Sequence, residues 1–151
     1  MKKLLKFLGL LLPWFIGSLI FKSDTIFYKG LNKPFFAPKP IIFEIVWPIL
    51  YILITISIYK IFKNNSYKNT QDYNKTLLIN YFSNQLFSFL FFTLKSPFLA
   101  LIDTIIVLLS SLFLYYETKE LDDKASKLLI PYIIWNLFAS ILITAIIFMN
   151  L

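Results

Sequence analysis

Glu44, Trp47 and Tyr51 stand at i, i+3 and i+7, a spacing that puts a carboxylate and two large aromatics on one face of a helix. Such a face can serve two kinds of chemistry. The carboxyl can move a proton, and the rings can stack on a flat ligand. The rest of the chain narrows the choice. It has no Cys and no His, which excludes thiolate chemistry, disulfides, imidazole ligation of a metal or haem, and Ser-His-Asp catalysis. Three glycines, Gly9, Gly17 and Gly30, cannot make a Walker or Rossmann phosphate loop. No EF-hand spacing is present, so no metal centre is expected. Asp103 is the second carboxylate inside an apolar run. It lies about a turn into that run, where capping or pairing near the interface competes evenly with a functional role. Glu44 is expected within the first turn of the second helix, where the positive helix end favours a carboxylate. It reads first as a helix-start or loop-pairing residue.

The elements that must position these groups follow from composition. The 151 residues are 58% apolar, with a mean hydropathy of +0.72, whereas a soluble domain runs at about 45–50% apolar. A chain this short has too little interior to hide the excess from water. The lipid bilayer is therefore its expected solvent. Five segments approach the roughly 20 apolar residues of a membrane-spanning helix: about 5–26, 41–62, 77–94, 98–116 and 125–150. Lipid offers no partner to free backbone groups, so these must be helices. The expected fold class is an all-α integral membrane protein, a bundle of five transmembrane helices in one domain covering 1–151. The basic start, "MKKLLKFLGLLL", also resembles a secretory signal, but no convincing cleavage site follows and the run is long enough to remain a helix.

Residues 22–40 form a long loop over the bundle, stiffened by Pro34, Pro38 and Pro40 and suited to a semi-rigid lid. Pro48 removes a helical hydrogen bond beside Trp47 and is expected to kink the second helix. The net charge of +7 comes entirely from lysines. They flank the apolar runs, which fits membrane anchoring better than nucleic-acid binding. Ten lie at the N-terminus, 60–75 and 117–127, and five on the other side. The positive-inside rule then places the N-terminus in the cytoplasm, in a bacterial cell membrane. Within the spans, Asn80, Asn84 and Ser88 form an i, i+4, i+8 stripe with Gln85 beside it, and Tyr132, Trp135, Asn136, Ala139 and Ser140 share a face. Polar residues of this kind usually glue helices together. Trp14, Tyr115 and Tyr116 sit near span ends and read as interface anchors.

Leu31-x-Lys33-Pro34, then Pro38, Phe43, Trp47 and Leu50-Tyr51, resemble the first-loop and helix-two signature of the translocator protein family, TspO/MBR. Asn84-Gln85, Phe98-x-Ala100-x-x-Asp103 and "LLIPYIIWNLFAS" at 128–140 continue the resemblance through all five segments. Two departures are Phe27-Tyr28 where the family often has Trp-Tyr, and Lys39 between Pro38 and Pro40 where it often has a Pro-Pro pair. The resemblance implies a homodimeric receptor whose intramembrane pocket opens toward the first loop. The implied ligands are porphyrins (protoporphyrin IX or haem), benzodiazepine-type compounds and, in animal members, cholesterol. It assigns ligand binding to Ser18, Tyr28, Pro34, Trp47, Tyr51, Asn84, Phe87, Trp135 and Ala139. Trp47 and Trp135 are also the catalytic candidates, because some bacterial members are reported to degrade porphyrin in light. No covalent cofactor and no nucleic acid are implied.

The expected function is thus binding of a tetrapyrrole or another flat hydrophobic ligand, with a role in tetrapyrrole handling or stress sensing. Trp47 and Trp135 would stack on the ring, Asn84 would bond its edge, and Lys29, Lys33 and Lys39 would meet its carboxylates. Light-dependent porphyrin degradation is one alternative. A small transporter using Glu44 or Asp103 in a water path is another.

Overall fold

A computed structural model of the chain describes residues 2–151. Among these, the regular elements are all helical. The first span is α1 (Lys2–Leu11), a 3₁₀ turn (Leu12–Phe15) and α2 (Ile16–Ile20). A short helix within the loop, α3 (Thr25–Gly30), leads to the second span, α4 (Pro40–Asn64). A 3₁₀ turn (Tyr67–Thr70) precedes the third span, α5 (Gln71–Ser88), which ends in a π turn (Phe89–Thr93). The fourth is α6 (Pro97–Leu121), and the fifth is α7 (Asp123–Lys127) followed by α8 (Ile130–Met149).

Four of these segments are long and apolar enough to cross a membrane: Lys2–Ile20, Pro40–Asn64, Pro97–Leu121 and Asp123–Met149. The third span is long enough but more polar, because it carries Asn80, Asn84 and Gln85 into the bundle. Helix contacts close into a ring: α1 packs on α4, α4 on α7 and α8, α8 on α6, α6 on α5, and α5 on α2. The polarity is inverted relative to a soluble domain. Large apolar side chains such as Leu19, Ile45, Phe82, Phe113 and Ile134 point outward. Thr55, Ser57, Asn80, Asn84, Asp103, Ser111 and Asn136 are buried. The protein is therefore an all-α integral membrane protein, a five-helix bundle.

The structure moves several expected boundaries, each for a local reason. The first helix stops at Ile20 rather than near 26, because Asp24 caps a new helix: its side chain accepts the Phe27 N–H at 2.8 Å. Pro13 falls at the start of the 3₁₀ turn in that span, where its missing N–H interrupts the α-helical ladder. The third helix begins six residues before the expected 77, at Gln71, where its first turn lies in the polar end of the bundle. The fifth is broken at Leu128–Leu129, between α7 and α8. Pro131 has no N–H for the Lys127 carbonyl and its ring crowds that turn. Pro48, in contrast, is carried inside α4 without interrupting it.

Trp14 is a further correction. Instead of anchoring at the interface it is only 2% exposed. Its ring stacks on Tyr51 at 5.5 Å and meets Tyr81 edge-on at 5.2 Å. Just beyond it, Gly17 lets the first and third spans touch. A Cβ at Gly17 would lie 2.7 Å from the Gln85 carbonyl oxygen and 3.1 Å from its Cα. A Cβ at Gly9 would meet nothing within 4 Å. Gly17→Ala should therefore destabilise the folded protein by about 1–3 kcal/mol through overpacking. Gly9→Ala should be neutral or stabilise by up to about 1 kcal/mol through helix propensity. Thermal unfolding of both variants in detergent, followed by circular dichroism, checks the pair. Equal melting points would refute the close approach.

Candidate functional site

One cavity of about 330 Å³ opens at the loop end of the bundle. Its wall is assembled from the end of the first span and the loop (Ser18, Ser23, Thr25, Tyr28), the first turns of α4 (Pro40, Phe43, Glu44, Trp47), the end of α5 with its π turn, and the last turns of α8. Aromatic rings dominate. Trp47 and Tyr51 lie 5.5 Å apart, and Phe87 stacks on Phe91 at 5.5 Å with the rings nearly parallel. The π turn matters here: the Leu94 N–H reaches back five residues to the Phe89 carbonyl at 2.9 Å. This wider turn brings both Phe91 and Phe92 to the cavity.

The floor is a hydrogen-bonded network. Tyr51 donates its hydroxyl to Asn84 Oδ1 at 3.0 Å. Asn84 Nδ2 donates to the Tyr132 hydroxyl at 3.1 Å, and Tyr132 donates to Asn80 Oδ1 at 3.0 Å. Asn80 Nδ2 donates to Ser110 Oγ at 2.9 Å and to the Val107 carbonyl at 3.2 Å. Gln85 extends the network to the first span. Its Oε1 accepts the Gly17 N–H at 2.6 Å, and its Nε2 donates to the Trp14 carbonyl at 3.1 Å and to Asn84 Oδ1 at 3.3 Å. The Gly17 N–H is free for this bond because the 3₁₀ turn gives the Pro13 carbonyl to the Ile16 N–H, and the same carbonyl also accepts the Tyr81 hydroxyl at 2.9 Å.

The loop is fastened at three points. Tyr28 donates to the Pro38 carbonyl at 3.0 Å and packs edge-on against Phe43 at 5.7 Å. Burial pushes the Tyr28 phenol up, which keeps it a neutral donor. Asn32 and Asn150 exchange hydrogen bonds of 3.0 and 2.8 Å, tying the loop to the end of α8. Lys95 pairs with Asp24 at 3.4 Å and sits 5.6 Å over the Phe27 ring. The Phe27 amide, and after it Lys95, hold the Asp24 carboxyl below its usual value. Lys95 adopts φ 51°, left-handed backbone that usually calls for glycine at a helix end.

The cavity brings together Ser18, Tyr28, Trp47 and Tyr51 with Asn84, Phe87 and Ala139. Two expected site residues lie outside its lining. Trp135 sits behind the wall, edge-on to Phe43 at 5.7 Å and to Trp47 at 6.5 Å. Pro34 belongs to the loop turn, where its carbonyl accepts the Ala37 N–H at 3.0 Å. The lysines also stand elsewhere. Lys33 Nζ donates to the carbonyls of Tyr28 and Leu31 at 2.7 Å and Lys29 at 3.2 Å, closing the end of α3. Lys29 and Lys39 are exposed and do not line the cavity. Asp103 is buried in α6, away from the cavity lining. Glu44 follows the first turn of α4 rather than lying within it, and it lines the cavity. Ser88, read from sequence as helix glue, also lines it. Phe15, Phe91 and Phe92 were not singled out by spacing. The only signal for Phe91 and Phe92 is the phenylalanine-rich run 87–92, "FSFLFF", whose facing depends on the π turn.

Comparison with known proteins agrees with this architecture. The family model described as the TspO/MBR family matches residues 7–149. The chain is 36% identical over 132 residues to the Bacillus subtilis protein named "Uncharacterized membrane protein YtaB", covering 87% of this chain and 85% of that one. It is 33% identical over 129 residues to the "Tryptophan-rich protein TspO" of Bacillus cereus, covering 85% and 84%. It is 36% identical over 156 residues to the protein of the same name from Archaeoglobus fulgidus, covering 99% and 97%. A match spanning nearly every helix, together with relatives of this identity and coverage, makes the chain a member of the TspO/MBR family.

Proposed function

We propose that the protein is a membrane receptor that takes a flat, largely apolar aromatic ligand into the cavity beneath the first loop, with a tetrapyrrole such as protoporphyrin IX or haem as the candidate class. The observation that carries this is the wall itself: Phe43, Trp47, Tyr51, Phe87 and Phe91 surround the space, and rings of this kind favour offset or edge contacts with another aromatic. At about 330 Å³ the cavity is near the lower end of ligand sites, which run from about 300 to 1,000 Å³. A macrocycle therefore requires the fastened loop to shift. Light-driven breakdown of the ring has less support, because Trp135 stands behind Trp47 rather than at the cavity surface. The lysine distribution supports an N-terminus in the cytoplasm, which puts the cavity mouth on the opposite side.

Saturable quenching of tryptophan fluorescence by protoporphyrin IX tests the site. Trp47→Phe should weaken binding by about 3- to 10-fold, the scale of one lost aromatic contact, and Ala139→Phe should abolish it by filling the cavity. Trp135→Phe should leave the affinity within about twofold, since its ring is outside the lining. Binding indifferent to both Trp47→Phe and Ala139→Phe would sink the assignment. For orientation, the native chain has no cysteine, so single introduced cysteines report cleanly. In intact cells an impermeant maleimide should label Lys29→Cys and spare Asn69→Cys; the reverse pattern would invert the topology.

A further inference from the structure

At the end of the bundle opposite the cavity, a groove of about 420 Å³ runs between the first and second spans. Lys6, Gly9 and Leu10 of α1 form one side, and Tyr59, Phe62 and Lys63 of α4 form the other. Both triplets are spaced i, i+3, i+4, so each is one helix face. Gly9 keeps the groove open: a Cβ there would meet nothing within 4 Å. α1 packs on α4, yet it buries none of its residues. Its seat is therefore incomplete at this end.

The groove is cationic on both lips and apolar between them. Among the described residues neither Lys6 nor Lys63 has an acidic partner, and no acidic residue occurs in 1–23 or 45–71. Other acids at this end are engaged: Asp72 with Lys75, Asp123 with Lys127, Asp122 with the Ala125 amide and Glu117 with Thr76. None of them, nor Glu120, lines the groove. Tyr59 brings a phenolic donor to the same face. Deeper on α4, Ile56 and the exposed Ile52 continue that face as an apolar track toward the middle of the span.

We propose that this groove binds an anionic phospholipid. Its phosphodiester headgroup lies between the Lys6 and Lys63 ammoniums, an acyl chain follows the apolar face of α4, and the lipid fastens the first span to the second. Basic pockets between spans suit such headgroups. Lysines acting only as general membrane anchors need neither a gap at Gly9 nor an apolar floor between the charges. A free phosphate matches the ammoniums but not the floor, whereas a lipid matches both. Tyr59 is eight residues beyond Tyr51, about 12 Å further along the α4 axis, so the site is separate from the ligand cavity and its test is independent of the ligand reading.

Native mass spectrometry of the full chain, released from mixed micelles, tests the site. The wild type should retain one phosphatidylglycerol per chain about tenfold or more tightly than phosphatidylcholine with the same acyl chains, the scale of two lysine contacts with an anionic headgroup. Lys6→Gln/Lys63→Gln should bring the two lipids within about threefold of each other. Gly9→Leu should do the same with every charge in place, by filling the groove. Lys68→Gln/Lys124→Gln removes equal charge from exposed positions outside the groove and should leave the preference within about twofold. Thermal unfolding in detergent checks each fold, and phosphatidylglycerol should raise the melting point of the wild type but not of Lys6→Gln/Lys63→Gln. Equal retention of both lipids by the wild type, a preference that survives Lys6→Gln/Lys63→Gln, or equal loss in both lysine pairs overturns the proposal. Displacement of the retained lipid by soluble glycerol phosphate also overturns it, in favour of a free-phosphate site. Should Gly9→Leu fail to fold, the two lysine pairs decide by themselves.

Discussion

Three amides on one helix hold this bundle together. In lipid, helices gain little from hiding apolar faces, because the tails around them are equally apolar, so association depends on close packing and interhelical hydrogen bonds. Asn80, Asn84 and Gln85 of α5 supply those bonds to every other span. Asn84 reaches Tyr51 on α4 and Tyr132 on α8, Asn80 reaches Ser110 on α6, and Gln85 clasps the backbone of Trp14 and Gly17 in the first span. Each such bond contributes on the order of 0.6 kcal/mol. Their weight comes from being linked: each donor is oriented by the next, and leaving one unpaired in a dry interior costs more than the bond itself contributes.

The network also decides what kind of cavity can exist above it. A floor of tyrosine hydroxyls and amides would ordinarily be sticky to polar ligands. Here most of that hydrogen-bonding capacity is consumed internally, so Tyr51 and Trp47 present mainly ring surface to the space above. Shape and aromatic contact then govern what lies deep in the cavity. Charge enters only a turn below the start of α4, where Glu44 stands. Glu44 and Tyr51 are seven residues apart, about 10 Å along the helix axis. Apolar floor and charged upper wall are thus two stations on a single α4 face.

How much of this could be read from the sequence depended on whether a feature was local. The five spans and their lipid-facing surface follow from apolar run length, and the stripe Asn80–Asn84 follows from spacing, because both are properties of one helix. The Glu44–Trp47–Tyr51 face was legible for the same reason. What was not legible involves two elements at once. Trp14 looks like an interface anchor until Tyr51 and Tyr81 are known to pack on it. Trp135 shares a helical face with Ala139, yet Phe43 and Trp47 stand between it and the cavity. Lys33 looks free to meet a ligand until the end of α3 is seen to use it. The π turn has no spacing signature, and it changes which phenylalanines face inward.

That π turn links the cavity to its lid. Lys95 follows the turn two residues on, and its left-handed backbone costs roughly 1–2 kcal/mol relative to glycine. The Ser96 N–H closes the turn on the Leu90 carbonyl at 3.1 Å. A glycine there would relieve the strain but would lose the ammonium that pairs with Asp24 and covers Phe27. Phe27 in turn packs edge-on against Phe91 at 5.6 Å, and Phe91 is a wall residue. One strained lysine thus fastens the loop to the same turn that supplies the cavity's aromatic wall. The Phe27 and Phe91 rings thus join the loop to the wall by direct contact. The loop and the cavity wall therefore meet at the end of the third span, beside the two other points, Tyr28–Pro38 and Asn32–Asn150, that fasten the loop.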